Sequence, residues 1–169
     1  DMLSCDILPA HVSDLLPRWR ELISQLSIPG ELAQLEFAIG EGKTPGSLIT
    51  AFVLRHLEPL SSDDQQKLIN FAQIQNIDMW LQPAGLDSAY PLHPAESHLC
   101  YRLPEFDIEM PFKPTDFTQV NHQVNRVLVS KAIQLLAPQA SDRVLDLFCG
   151  IGNFTLPLAR RSAEVFGIE

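Results

Sequence analysis

The sequence predicts a mixed α/β chain, a small α+β domain over residues 1–114 followed by the opening of a doubly wound parallel sheet over residues 115–169. Three observations carry that prediction. As far as Phe112, helix-like and strand-like stretches follow one another in the manner of an α+β unit with sequential, largely antiparallel strands. After Pro114 the order becomes helix, strand, Gly-containing loop, helix, strand, which is how a doubly wound sheet begins. That loop, in "DLFCGIGNF" (Asp146 to Phe154), directly follows a buried-strand pattern, "RVLD".

The elements can be justified in order. From Ser13 to Ser27 the residues Leu15, Leu16, Trp19, Leu22, Ile23 and Leu26 recur at helical spacing, with Ser13 as the expected N-cap and Pro17 inside the first turn. Two strand-like runs follow, Glu31 to Ile39 and Ser47 to Glu58, and the Gly and Pro of "GEGKTPG" between them predict an antiparallel hairpin. "PLSSDDQQKLINFAQIQN" has an expected capping box of Ser62 with Gln65, two carboxylates in its first turn, and Leu68, Ile69 and Ala72 on one face. "IDMWLQP" and "HLCYRLPEFDIEMPF" alternate loosely as strands around a loop from Gly85 to Ser97. Beyond Pro114, Val124, Leu128, Ala132, Leu135 and Leu136 mark a helix that Pro138 ends. "DRVLDLF" then reads as a strand, "NFTLPLAR" as a helix start and "AEVFGIE" as a second strand.

Composition narrows the function classes. A formal net charge of -9 disfavours this stretch as the main footprint on nucleic acid, because phosphate neutralisation needs clustered Lys and Arg. Cys5, Cys100 and Cys149 have no close-spaced partner, and no apolar run reaches membrane-spanning length. A cytoplasmic setting with no membrane partner is expected. The chain opens on Asp1 and stops on Glu169 just after a strand, so a piece of a longer protein is expected.

Gly150 and Gly152 let backbone approach a ligand at the carboxyl end of a strand. Thr155 stands where the dinucleotide fingerprint has its third glycine, and no Gly-Lys-Ser/Thr is present to cradle phosphates. Glu169, at the end of the next strand, is placed to accept hydrogen bonds from both hydroxyls of a ribose. The set fits a nucleoside cofactor without a pyrophosphate, such as S-adenosylmethionine, whose positive charges are tolerated near Asp146. The competing reading is that Asp146 caps the loop and Glu169 is merely solvated.

"DFTQVNHQVN" followed by "DRVLDLFCGIGNFTLPLA" closely resembles the RNA 5-methyluridine methyltransferase family, and the opening "CDILP" is similar to its 23S ribosomal RNA uracil-C5 branch. The resemblance is strong over residues 115–169 and weaker before them. It implies a Rossmann-like methyltransferase sheet and transfer of methyl from S-adenosylmethionine to C5 of a uridine. In that chemistry a cysteine adds to C6, the resulting enolate carbon attacks the methyl group, and a base removes the C5 proton so that the cysteine leaves. The resemblance assigns cofactor contacts to Gln119, Phe148, Asn153 and Glu169. It places the nucleophilic cysteine and the base beyond Glu169, so no catalytic residue is expected here and the piece alone is expected to be inactive. Cys149 and Cys100 are then packed residues, not nucleophiles.

Cys5 matches the fourth ligand of the [4Fe-4S] cluster of the ribosomal branch, and the three upstream ligands are absent from this sequence. The cluster is therefore expected in the intact protein only. The resulting expectation is a monomeric enzyme acting on 23S rRNA. The alternatives are a transfer RNA uracil-C5 methyltransferase, a non-catalytic RNA-binding or interaction module, and a nicotinamide-dependent oxidoreductase, the last opposed by the missing third glycine.

Overall fold

The computed structural model describes residues 3–44 and 46–169. Asp1, and Pro45 of the expected hairpin loop, lie outside the described residues. The chain forms two compact units, one running to Phe37 and resuming over Ala51–Ser97, the other made of Ala38–Thr50 and His98–Glu169. The boundary expected after residue 114 falls inside the second unit.

In the first unit the expected N-terminal helix is two, α1 (Ala10–Ser13) and α2 (Leu16–Ser24). Ser13 ends α1 and does not cap α2; its hydroxyl accepts the Cys5 N–H at 2.9 Å instead. The helical stripe is inside as expected, with Leu15, Trp19, Leu22 and Leu26 buried. The Trp19 ring packs on Phe52 and Phe71, with centroids 5.0 and 4.8 Å away.

Strands β1 (Leu32–Glu41) and β2 (Leu48–His56) each begin in one unit and end in the other. The Leu57 N–H donates to the Glu31 carbonyl at 2.8 Å, and at the turn the Gly42 N–H donates to the Ser47 carbonyl at 3.0 Å. Ala51, Phe52, Val53 and Leu54 are all buried, so neither face of β2 is wet at this point. Such a continuous apolar run belongs to a strand covered on both faces, and parallel pairing suits it. Strand β3 (Asp78–Gln82) does lie parallel to β2, with Ala51 opposite Asp78 and Arg55 opposite Gln82. The expected antiparallel order fails here because α3 (Ser62–Gln75) carries the chain back as a crossover. The loop expected from Gly85 to Ser97 contains a short strand, β4 (Tyr90–His93), antiparallel to β3. Both tryptophans of the chain, Trp19 and Trp80, are buried in this unit.

The capping box of α3 is one residue earlier than expected, Ser61 with Asp64. Asp64 is fully buried and accepts from the Ser27 N–H at 2.9 Å, the Ser27 hydroxyl at 2.5 Å, the Ser61 N–H at 3.2 Å and the Ser61 hydroxyl at 2.7 Å. Burial pushes the Asp64 carboxyl up, but the donors from Ser27 and Ser61 outweigh it and hold the pKa at about 2.

The second unit joins β5 (Cys100–Leu103) and β6 (Ile108–Pro111) as a hairpin, Cys100 opposite Pro111 and Leu103 opposite Ile108. Helix α4 (His122–Leu136) starts at Asn121, whose side chain accepts the Val124 N–H at 3.0 Å. Its buried face is Asn125, Val129 and Ile133, whereas Val124, Leu128, Leu135 and Leu136 of the expected stripe are exposed. The helix is apolar on two sides, and periodicity alone does not say which side is covered. Glu41 links α4 to β5 by accepting from Arg126 Nη2 at 2.5 Å and from Arg102 Nη1 at 3.4 Å. Strands β7 (Arg143–Leu147) and β8 (Glu164–Ile168) pair in parallel around α5 (Thr155–Ala159), the order the sequence predicts.

Candidate functional site

The loop between β7 and α5 leaves the carboxyl end of β7, where doubly wound sheets bind ligands. It is tied to the next strand by the Ile168 carbonyl, which accepts the Phe148 N–H at 2.7 Å and the Cys149 N–H at 3.2 Å. Phe148 adopts a left-handed backbone with φ of 61°, an unfavourable conformation for a side chain of this size, and its ring is 91% exposed. Gly152 has φ of 95°, which a residue with a Cβ resists. A Cβ on Gly150 would meet nothing within 4 Å, so the loop backbone faces open space there.

The structure brings three of the four sequence-predicted residues to one cleft. Gln119, Phe148 and Asn153 line it together with Tyr101, Phe117 and Asn125. Its volume of about 120 Å³ is smaller than the ~300 Å³ of a complete ligand pocket, so these residues form one wall. Glu169 does not line the cleft, but one of its carboxylate oxygens accepts the N–H of Gly150, a lining residue, at 2.6 Å. Glu169 is thus held at the loop and is more than a solvated strand end.

Asp146 behaves as the competing reading has it, since its Oδ2 accepts the Thr155 hydroxyl at 2.5 Å and so braces the start of α5. Cys149 packs under the loop; a Cβ on Gly167 would come within 2.9 Å of its Sγ. Cys100 is buried, its thiol donates to the Glu41 carbonyl at 3.1 Å, and burial pushes its pKa up, which makes it a poor nucleophile. Among the described residues no three His, Cys, Asp or Glu side chains converge to hold a metal ion, and Cys5 offers a single half-buried thiol. These residues by themselves do not make an iron-sulfur site.

The sequence reading missed Tyr101, Asn125 and Gly167. Two signals were available: Asn125 is a polar residue in register with Val129 and Ile133, and Gly167 is a glycine inside a strand, which marks close approach of another segment.

A parallel β-α-β unit with an open Gly loop at its carboxyl end, acidic strand ends and three amides at the cleft defines the class, the opening of a doubly wound domain with a polar cleft at the carboxyl end of its strands. Within that class the chain belongs to the tRNA (Uracil-5-)-methyltransferase family, whose model matches residues 47–169. It is 57% identical to the 23S rRNA (uracil(1939)-C(5))-methyltransferase RlmD of Polynucleobacter necessarius, over 100% of this chain and 37% of that protein. The RlmD of Ralstonia pickettii is also 57% identical, with 100% of this chain and 36% of that protein aligned. The chain thus spans little more than a third of the length of these relatives. Among solved structures, the crystal structure of Pyrococcus abyssi tRNA (uracil-54, C5)-methyltransferase in complex with S-adenosyl-L-homocysteine has the same fold. The match has a TM-score of 0.54 and 18% identity, over 91% of this chain and 38% of that one.

Proposed function

We propose that the protein containing this chain is a cytoplasmic, monomeric 23S rRNA uracil-C5 methyltransferase that uses S-adenosylmethionine, with residues 115–169 as the start of its methyltransferase domain. The observation that carries the reading is the convergence of Gln119, Phe148 and Asn153 on one cleft whose loop is bonded to Glu169. Gln119 and Asn153 suit the amino acid end of the cofactor, Phe148 offers an apolar face, and Glu169 suits the ribose hydroxyls. The cofactor supplies the methyl group; the chain's residues bind and orient it. Two of the relatives named above are RlmD enzymes, which favours ribosomal RNA. The description of the family model favours transfer RNA as the second reading, and incubating the protein with each RNA separates the two.

In the whole protein, Glu169→Ala is expected to weaken S-adenosylmethionine binding by about 1–3 kcal/mol, the scale of losing charge-assisted hydrogen bonds. Titration calorimetry checks this, and unchanged affinity removes Glu169 from the site.

The cluster belongs to the same proposal. Its support is the similarity of "CDILP" to the ribosomal branch, and Cys5 is its proposed ligand in the whole protein. Anaerobically purified whole protein should then show broad visible absorption and bound iron, and Cys5→Ser should diminish both. Identical iron content and spectra in the two proteins would sink this role.

A further inference from the structure

Asn125 is a polar side chain on an apolar helix face, 2% exposed and in line with Val129 and Ile133. Burying an amide is unfavourable unless every polar atom finds a partner. Here all do. One Nδ2 hydrogen goes to the Tyr101 hydroxyl oxygen and the other to Asn153 Oδ1 at 2.8 Å. The Asn125 Oδ1 accepts from Asn153 Nδ2 at 3.0 Å, so the two amides form a reciprocal pair.

The pair has a defined direction. The Tyr101 hydroxyl donates its proton to the His122 carbonyl at 3.4 Å, which leaves its oxygen to act as acceptor toward Asn125. Tyr101 is itself buried, and burial raises its pKa, so it keeps that proton. With Asn125 facing Tyr101 through nitrogen, Asn153 can be oriented only with its Oδ1 toward Asn125 Nδ2 and its Nδ2 toward Asn125 Oδ1. Asn153 keeps one Nδ2 hydrogen and one Oδ1 lone pair outside the pair.

We infer that Asn125 is a positioning residue, which with Tyr101 fixes the amide of Asn153 so that a set donor and a set acceptor face the cofactor's amino acid group. The inference rests on the proposed cofactor role of Asn153. It accounts for a buried amide that the packing of α4 does not otherwise need. It also separates Asn125 from the residues that touch the ligand, since its own hydrogen-bonding capacity on nitrogen is exhausted within the chain.

The test is a double-mutant cycle on the whole protein, with S-adenosylhomocysteine affinity read by calorimetry and thermal midpoint measured alongside. Asn125→Ala and the isosteric Asn125→Asp should each weaken binding about tenfold, the scale of one or two lost hydrogen bonds. In an Asn153→Ala background neither should weaken binding by more than about twofold, and the fall in midpoint should differ from that in the wild-type background because the two amide–amide bonds are already lost there. If Asn125→Ala fails to fold, Tyr101→Phe, which removes the acceptor that orients Asn125 together with the long bond to the His122 carbonyl, should weaken binding about threefold and lose that effect beside Asn153→Ala. An unchanged affinity on Asn153→Ala would overturn the cofactor role of Asn153 and the inference with it. A loss on Asn153→Ala together with no effect of Asn125, or an Asn125 effect of equal size in both backgrounds, would overturn the positioning role alone.

Discussion

Replacing Asp64 with alanine is expected to destabilise the protein by about 2–4 kcal/mol, because the Ser27 and Ser61 donors would together lose the charged acceptor they share, a buried carboxylate. The loss exceeds that of an ordinary helix cap, about 1 kcal/mol, since the same carboxylate also ties the segment after α2 to the first turn of α3. Urea unfolding with wild type and Asp64→Ala side by side measures it. The pH dependence has a definite sign. The folded pKa of about 2 lies below the ordinary 3.8, so the contribution is fully present above 3.8 and is lost as pH falls through about 2. Wild type should therefore approach Asp64→Asn in stability as pH is lowered from about 5 toward 2. A constant gap over that range would show that Asp64 acts through packing and not through its charge.

Gly167→Val is expected to cost about 1–3 kcal/mol and to weaken cofactor binding in the whole protein at the same time. Even the first carbon of the new side chain would lie 2.9 Å from Cys149 Sγ, 3.2 Å from Cys149 Cβ and 3.2 Å from Thr155 Cγ2. The sulfur could turn aside, but Thr155 cannot rotate without giving up its bond to Asp146, and Cys149 is fixed through its N–H to Ile168. The loop itself must then move. Gly30→Ala is the control, since a Cβ there meets nothing within 4 Å, and it should stay within about 0.5 kcal/mol of wild type. Normal cofactor affinity in Gly167→Val would mean that the loop can shift without harm to the site.

The parts of the fold read correctly from the sequence are those set by local chemistry. The run from Arg143 to Ile168 is an example: alternating strand and helix signals around two glycines leave few arrangements, and β7, α5 and β8 follow them. Where the outcome depended on distant partners, local reading failed. Ser61 and Ser62 are equally good caps by residue type, and the choice falls to Ser61 because Asp64 is also held by Ser27, thirty-seven residues away in sequence. The pairing of β2 with β3 is parallel for a topological reason, the return of the chain through α3, which strand composition does not encode. On α4 two apolar stripes compete, and the one chosen from spacing is the exposed one. The site shows the same division. Gln119, Phe148 and Asn153 follow from the resemblance carried by two separate stretches, "DFTQVNHQVN" and "DLFCGIGNF", and Glu169 from the end of the strand after them, whereas Tyr101 comes to the cleft only through its packing beside Asn125 of α4.

Both indoles of the chain lie in the first unit, Trp19 against Phe52 and Phe71 and Trp80 within β3. Tryptophan emission is therefore an optical label for that unit's core, supplied by the sequence itself. It would follow the consequences of removing Asp64 directly. The loop after β7 contains neither Trp nor Tyr, and the tyrosine of the second unit is Tyr101, buried beside Asn125. In a Tyr90→Phe background, which removes the first unit's tyrosine, differences between emission and tyrosine absorbance along one unfolding curve would then show whether the two units melt together or in succession.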